Sequence, residues 1–283
     1  TENARAQDRL LHAAELAGFR HVAFEQEPIA AGLAFGASHQ REHATHALVF
    51  DFGGGTLDIA VLKVGQDGGQ TVLATGGVDI AGDHFDQTIF KRAILPWLGD
   101  GVKWGPQRLD MPVHLLDSLG DWQDVVAFCN SPTLAFLRQV QSDCTSTIRI
   151  LALEDFIFKG HAFDLYSRIE ECKVELSQKR FALVGFDEEA ISIWQPVTRG
   201  QFEAYIARDG RTIKQVILTT LERAGLEPQQ IGHVIRTGGS SSIPYFVQML
   251  TEMFGAAQMT ETDLFTGVAK GLALRASQQS LHA

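Results

Sequence analysis

The sequence predicts an α/β fold, because segments with the period of a helix and segments with the period of a strand alternate along it. Short strands joined by glycine turns occupy residues 47–74, and helical segments lie on both sides of them. The chain has 283 residues, of which 45% are hydrophobic and 20% charged. This composition excludes a disordered chain and predicts one large domain or two modest ones.

The first elements are predicted from spacing and from helix end signals. Alanine and leucine recur at helical spacing over residues 2–17, and Gly18 indicates the end of that helix. The apolar run at 21–24 predicts a strand. Pro28 is favoured at the first position of a helix, so we expect a second helix over 29–35 that ends at Gly36.

The period changes at residue 47. Residues 47–50 are continuously apolar, 57–61 alternate, and 70–74 form a third strand-like run. Glycine clusters separate the three runs, which predicts an antiparallel meander.

The rest of the chain is helical in most places. A Thr198–Gln201 capping-box pattern predicts the start of a helix that Gly225 ends. Residues 99–163 have no clean period and indicate an insertion or a small helical subdomain. The other predicted elements are helices over 83–98, 166–178 and 268–276 and from Pro244, one or two strands over 180–194, and a strand at 234–235 followed by a Gly/Ser turn.

Composition excludes several classes of function. The net charge is −10 and the pI about 5.4, which argues against a generic nucleic-acid binder. No apolar run approaches the ~18 residues that a membrane span needs, and the N-terminus lacks signal-peptide features. Three widely spaced cysteines give neither a disulfide framework nor a zinc site, so we expect a cytoplasmic protein.

The most informative motif is D-F-G-G-G-T-L-D, which runs from Asp51 to Asp58. Three consecutive glycines let successive N–H groups point into one concavity, and such a nest binds phosphate. Thr56 adds a hydroxyl, and Asp51, at a strand end, is placed to hold hydrated Mg²⁺. The alternative is an ordinary hairpin turn with acidic flanks.

Two further segments are informative in combination with the first. The Gly/Ser loop at 236–244 lies between a strand and a helix, where free N–H groups face a ligand, although plain connections also have this composition. Glu27 precedes a proline-started helix, either as a partner of the helix dipole or as a carboxylate that orders a catalytic water. Residues 39–43 fit the zinc pattern H-x-x-E-H, but they lack apolar neighbours and predict a solvated loop.

These motifs, in this order, resemble the nucleotide-binding domain of the heat-shock-70/DnaK chaperone family, within the actin-like ATPase superfamily. The resemblance is greatest to short YegD-type proteins, which have an ATPase domain and no peptide-binding domain. The matching motifs are the first connecting motif at 27–31, the second phosphate hairpin at 51–58, the L-G-G-E-D-F-D motif at 80–86, the adenosine helix at 168–178, the adenosine loop at 238–244 and the second connecting motif at 267–273.

The resemblance implies an actin-like ATPase (ribonuclease-H-like) fold with two lobes and a nucleotide in the cleft between them. The chain then corresponds mostly to the second lobe. Residues 1–44 would be a remnant of lobe I with a connecting helix, 45–81 and 196–283 the base of lobe II, and 82–195 an inserted upper subdomain of helical or mixed structure.

The resemblance also implies an ATPase that uses ATP/ADP and Mg²⁺, with client or co-chaperone proteins as partners and no nucleic acid or membrane. Its catalytic residues would be Glu27, which orients the attacking water, and Asp51, which holds Mg²⁺ through water. The implied nucleotide-binding residues are Gly53, Gly54, Gly55, Thr56, Gly82, Asp83, Lys173, Ser177, Gly238, Gly239, Ser240 and Ser242.

The sequence also departs from the family pattern. The family's earlier phosphate hairpin and phosphate-contacting lysine do not precede Thr1, and the arginines that sandwich adenine are replaced by Val174 and Ser242. We therefore expect a fragment that lacks about the first half of lobe I, binds nucleotide weakly and does not turn it over. Two alternatives stay open: a non-catalytic nucleotide-sensing or partner-binding module, and a small-molecule kinase of the same superfamily.

Overall fold

The computed structural model describes residues 2–38, 43–66, 69–260 and 266–280. The α-helices are α1 (Glu2–Leu16), α2 (Glu27–Ser38), α3 (Gly82–Ile89), α4 (Val113–Ser118), α5 (Trp122–Val125), α6 (Ser131–Ser142), α7 (Thr147–Phe158), α8 (Ala162–Gln178), α9 (Arg199–Arg223), α10 (Pro244–Phe254) and α11 (Gly267–Ser280). The strands are β1 (Thr45–Phe52), β2 (Leu57–Val64), β3 (Gln70–Val78), β4 (Lys103–Trp104), β5 (Leu109–Asp110), β6 (Phe181–Glu188), β7 (Ile191–Thr198), β8 (His233–Thr237) and β9 (Met259–Thr260). Shorter helical turns are a π-turn at Phe90–Ile94 and 3₁₀ turns at Leu95–Leu98, Val126–Phe128, Pro228–Gln230, Gly239–Ser242 and Ala256–Gln258.

The central sheet positions the candidate site. Its described strands lie in the order β3-β2-β1-β8-β9. β1, β2 and β3 pair antiparallel, which confirms the predicted meander. β1 and β8 pair in parallel, with Asp51 opposite Thr237. Because the carboxyl ends of parallel strands meet at one edge of a sheet, the loops that follow these two strands lie side by side.

Helices cover both faces of this sheet. On one face α2 packs on β1 and β2, and α11 packs on α2. On the other face α9 packs on β2 and β3, within the larger of two apolar clusters. β1 is buried on both sides, which explains why residues 47–50 are continuously apolar instead of alternating.

Most predicted helix signals are confirmed. Gly18 and Gly225 adopt the left-handed conformation just beyond α1 and α9, at φ of 91° and 68°. The Thr198–Gln201 capping box is present in both directions at the start of α9. The weakly patterned stretch at 99–163 contains α4 to α7 and the short β4–β5 pair. The division of the chain into a lobe remnant, a base and an upper subdomain stays a prediction.

Two predicted elements differ from the structure. Residues 21–24 do not form a strand, because their backbone pairs with no neighbour among the described residues, and Phe24 is 46% exposed. The second helix continues past Gly36 to Ser38. Residues 39–42 of the H-x-x-E-H match lie outside the described residues. Over the ranges that the structure describes, no helix is long and apolar enough to cross a membrane.

Candidate functional site

The Asp51 side chain is buried at the edge of the sheet where the parallel strands β1 and β8 have their carboxyl ends. It is 7% exposed, and its Oδ1 accepts a hydrogen bond of 2.8 Å from the Thr237 hydroxyl on the neighbouring strand. Its Oδ2 is buried without a hydrogen-bond partner in the described part of the chain. A buried carboxylate oxygen without a donor is costly, so this oxygen is suited to face a cation or its water.

Burial raises the pKa of Asp51 to about 6. The Thr237 hydrogen bond lowers this pKa, whereas the nearby negative charges of Glu27 and Asp58 raise it. Glu27 therefore lies beside Asp51, although the two residues are on different elements. A bound cation would favour the charged form of Asp51 and offset this repulsion.

The carbonyl groups of the loop between β1 and β2 are held by neighbouring elements. The Gly53 carbonyl accepts hydrogen bonds from the Gly82 amide at 3.2 Å and from the Ser240 hydroxyl at 2.7 Å. The Gly54 carbonyl accepts from the Asp83 amide at 2.8 Å. These contacts direct the carbonyls toward α3 and the Gly/Ser loop, and they fix the glycine loop to both.

The amide groups of the same loop remain available. The Gly54 and Gly55 N–H groups donate no hydrogen bond to any described residue. Both glycines are exposed, and a Cβ added at Gly55 would meet no atom within 4 Å. A loop with engaged carbonyls and free amides presents positive dipoles to solvent, which is the requirement for an anion site.

Gly238 brings the second loop against the first. Its φ is +77°, and a Cβ at this position would lie 2.4 Å from the Phe52 carbonyl oxygen. Both the left-handed backbone and the close approach require glycine. Ser240, at the first turn after it, is then within reach of Gly53.

Replacing Gly238 by alanine is expected to lower the free energy of unfolding by about 2 kcal/mol or more, because the new Cβ meets backbone and the φ is strained. Gly239→Ala is the matched control, since a Cβ there meets nothing within 4 Å. Urea denaturation of both variants measures the difference. Equal stability of the two variants would contradict this account of the loop contact.

Lys173 reaches the site from α8. Its ammonium donates to the Gly82 carbonyl at 3.1 Å and to Asp86 Oδ2 at 2.6 Å, and both side chains are buried. Burial raises the pKa of Asp86 to about 6, although the adjacent Lys173 ammonium lowers it. This ion pair joins α3 to α8 beneath Gly82.

The remaining predicted residues lie around this centre. Glu27, at the start of α2, lines an open cleft of about 460 Å³ together with Thr56 and Asp58. The Thr56 hydroxyl donates to Asp58 at 2.8 Å, so it is engaged within the loop.

The residues predicted to hold the nucleoside are less closely connected. Ser177 is half-buried one turn beyond Lys173, and no hydrogen bond joins it to either loop among the described contacts. The Ser242 hydroxyl donates to the Gly239 carbonyl at 2.7 Å, and Val174 is 54% exposed. The roles of all these residues stay predictions.

The site contains two residues that sequence reasoning missed, Thr237 and Asp86. Thr237 directly precedes Gly238 at the end of a strand, and Asp86 is the last residue of the D-H-F-D motif. The positions of both residues next to the predicted motifs could therefore have identified them. In the described ranges, no group of three or more His, Cys, Asp or Glu side chains is placed to hold a metal. An ion held through water beside a phosphate does not need such a group.

The chain matches the family model described as "Hsp70 protein" over residues 3–95 and 161–280. It is 27% identical over 268 residues to "Chaperone protein HscA homolog" of Haemophilus influenzae (strain PittGG), covering 93% of this chain and 33% of that protein. It is 29% identical over 269 residues to "Chaperone protein HscA" of Pectobacterium carotovorum, with coverages of 93% and 33%. It is 25% identical over 274 residues to "Chaperone protein DnaK" of Thermus thermophilus, with coverages of 97% and 37%.

The chain thus spans about a third of the length of these relatives. The matched segments include both glycine-containing loops and the helices α2, α3, α8 and α11. Residues 96–160 lie between the two matched segments. The expected similarity to short YegD-type proteins is not addressed by these matches and stays a prediction.

Proposed function

The chain belongs to the Hsp70 family, and we propose that it binds ATP and contributes to its hydrolysis as part of a DnaK-like chaperone. The observation that carries this proposal is the buried Asp51 carboxylate beside a glycine loop with free amides. The carboxylate can bind a hydrated cation and the amides can bind phosphate. A metal–nucleotide complex contains both of these groups.

The glycine loop would position the phosphates of ATP. The Gly54 and Gly55 amides can donate to phosphate oxygens without a charged side chain, while the contacts of Gly53 to Gly82 and Ser240 keep the loop in place. Phosphoryl transfer depends mainly on such positioning and on charge neutralisation.

Asp51 fits the Mg²⁺ that the family uses, because its unpartnered Oδ2 can accept a hydrogen bond from a metal-bound water. When bound, Mg²⁺ supplies charge neutralisation to the phosphates. Thr237 orients the Asp51 carboxylate through the 2.8 Å hydrogen bond, so that its second oxygen is the one left for the ion's water.

Glu27 would hold the attacking water. Its carboxylate lies beside Asp51 and lines the open cleft together with Thr56. A carboxylate in this place can accept a hydrogen bond from the water and receive its proton as the water oxygen bonds to the γ-phosphorus and the bond from that phosphorus to the leaving ADP oxygen breaks.

The nucleoside would lie between α8 and the Gly/Ser loop, near Lys173, Ser177, Gly239 and Ser240. The adenine ring would lack the family's two stacking arginines, because Val174 and Ser242 stand at those positions. This difference favours the second candidate function, a module that senses nucleotide without hydrolysing it.

The proposed output is a hinge-type movement of lobes on nucleotide binding, sensed by client or co-chaperone proteins. α2 begins at Glu27, which lines the cleft, and α11 packs on α2. A movement of either helix would therefore shift Glu27. We propose the division into 1–44, 45–81 with 196–283, and 82–195 as the parts that move relative to one another.

Asp51→Asn is expected to weaken MgADP binding by about 10- to 100-fold, as loss of a residue that acts through a metal's water does. Asparagine retains an oxygen for Thr237 and removes a buried charge, so the variant should stay folded. Calorimetry at pH 8 with MgADP, and with ADP in EDTA, measures the effect. The difference between the variant and the wild type should disappear in EDTA.

The matched control is Asp187→Asn, which removes one exposed carboxylate on β6. ATP turnover by the product of the complete reading frame separates the two candidate functions. MgADP binding without turnover supports the sensing module, and ADP formation that requires a small-molecule acceptor supports a kinase. Absence of nucleotide binding by both the chain and that product would refute the proposal.

A further inference from the structure

A pocket of about 220 Å³ lies beside the candidate site, between α3, α8 and the loop that joins α4 to α5. α3 contributes Asp83 and Asp86, and α8 contributes Tyr166 and Glu170. The loop contributes Asp121, and the first residue of α5, Trp122, lies directly after it. We call it the α4–α5 pocket.

One wall of this pocket comes from outside the part of the chain that the family model matches, since the α4–α5 loop lies within 96–160. The loop is anchored to α8 by two contacts. The Tyr166 hydroxyl donates to the Leu119 carbonyl at 3.1 Å, and the Trp122 ring meets the Phe163 ring edge-on with centroids 5.6 Å apart. The pocket is therefore a formed feature of this chain.

The pocket carries strong negative charge. Four of its lining residues are carboxylates, Asp83, Asp86, Asp121 and Glu170, and none of its described lining residues is Lys or Arg. Lys173 is already engaged with Asp86 Oδ2 and the Gly82 carbonyl. Lys173 offsets the charge of Asp86, whereas the other three carboxylates have no Lys or Arg among the described lining residues, so a cation that enters the pocket is stabilised.

A second observation points to a ligand with hydrogen-bond donors. The Asp86 side chain is only 9% exposed, and its Oδ1 has no hydrogen-bond partner among the described residues. A buried carboxylate oxygen in this state is stabilised by an N–H donor. Because Asp86 lines the pocket, a group bound there is placed to supply one.

The aromatic wall indicates what kind of cation fits. Trp122 and Tyr166 present ring surface beside the carboxylates, and flat guanidinium groups stack on such rings while donating to carboxylates. A bare metal ion gains nothing from the rings, and among the described residues no group of three or more His, Cys, Asp or Glu side chains is placed to hold one. We propose that the α4–α5 pocket binds a guanidinium group, carried by a free small molecule or by an arginine side chain of a partner.

The test uses agmatine, a small guanidinium compound, titrated into the 283-residue chain by calorimetry at low ionic strength. Asp121→Asn should weaken agmatine binding by about 3- to 10-fold, the loss expected for one partly exposed ion pair. Asn is as good a helix cap as Asp, so it preserves the bond to the Gln123 amide at the start of α5. N-butylurea, which is similar in shape and neutral, should not bind.

Asp124→Asn is the matched control, because it removes an exposed carboxylate of α5 that does not line the pocket. Its agmatine affinity should equal that of the wild type. Equal losses in both variants, or displacement of agmatine by stoichiometric Mg²⁺, would overturn the proposal, as would absence of binding at millimolar agmatine.

Blocked N-acetylarginine methylamide distinguishes the two sources of the guanidinium. Binding comparable to that of agmatine supports an arginine side chain, and selective binding of agmatine supports a free small molecule. No nucleotide is used in these titrations, so their outcome is independent of the proposed ATP site.

Trp122→Leu should weaken the binding of both agmatine and N-acetylarginine methylamide. It should leave the thermal unfolding midpoint nearly unchanged, because Trp122 is 41% exposed.

Discussion

Replacing Gly271 by alanine is expected to lower the free energy of unfolding by about 3–5 kcal/mol. Gly271 is where α11 crosses α2. A Cβ at this position would lie 1.7 Å from the Ala30 carbonyl oxygen and 2.3 Å from its carbonyl carbon. Both atoms belong to the backbone of a buried helix, so neither can rotate away, and the two helices would have to separate.

Gly267→Ala is the matched control on the same helix. A Cβ there meets no atom within 4 Å, and alanine has the higher helix propensity, so stability should stay the same or rise slightly. Urea denaturation followed by circular dichroism compares the two variants. If Gly271→Ala is as stable as Gly267→Ala, the close crossing of α2 and α11 is wrong.

The crossing also matters for the candidate site, because α2 begins at Glu27. A shift of α2 away from α11 would move Glu27 relative to Asp51. The contact between the helices at Ala30 therefore sets the position of Glu27, which lies one turn earlier on α2. This gives a physical reason for glycine at position 271, where the sequence alone shows only a glycine inside a helical pattern.

Local patterns predicted the elements whose stability is itself local. The meander over β1 to β3 follows from alternation and glycine turns, and the start of α9 follows from the side chains of Thr198 and Gln201. The pairing of β1 with β8 joins residues such as Asp51 and Thr237, which are 186 positions apart, and no short-range pattern specifies such a partner.

The strand predicted at 21–24, which the structure lacks, also shows that a short-range pattern does not specify a strand's partner. Its apolar residues fit a strand, but a strand exists only when a neighbour accepts and donates its backbone hydrogen bonds. In the described part of the chain no such neighbour pairs with it. A short apolar run indicates that a segment can be buried, and it does not identify the partner.

The part of the candidate site that is formed by backbone amides could be predicted from the sequence. Consecutive glycines at 53–55 indicate free amides whatever the tertiary context, and the structure has them free at Gly54 and Gly55. The roles of side chains were harder to predict, because they depend on contacts across the fold. Lys173 was expected to hold the nucleoside, and its ammonium is paired with Asp86, a residue absent from the expected set.

Replacing Lys173 by methionine is expected to destabilise the protein by about 3–5 kcal/mol at pH 8, the cost of leaving one member of a buried ion pair without its partner. Methionine has a similar volume and fills the space of the lysine stem, so the effect is electrostatic rather than a cavity effect. The exposed fractions of the two side chains are 10% and 9%, so water cannot substitute for the lost ammonium.

The loss should depend on pH in a defined direction. Burial raises the folded-state pKa of Asp86 above its unfolded value of 3.8, so the folded protein binds the proton more tightly. Stability therefore falls as pH rises from the unfolded to the folded pKa and levels off above it. Lys173 lowers the pKa of Asp86, so without it the fall should continue above pH 6. The difference between variant and wild type should be small at pH 5 and full at pH 8.

Comparing the variant with the wild type at each pH removes the contribution of Asp51, whose pKa of about 6 gives the same trend in both proteins. The decisive control is the double variant Lys173→Met/Asp86→Asn, which has no buried carboxylate at this position. It should recover most of the stability at pH 8 and lose the extra pH dependence. A loss that is equal at pH 5 and pH 8, and that Asp86→Asn does not rescue, would mean that Lys173 stabilises the fold by packing alone.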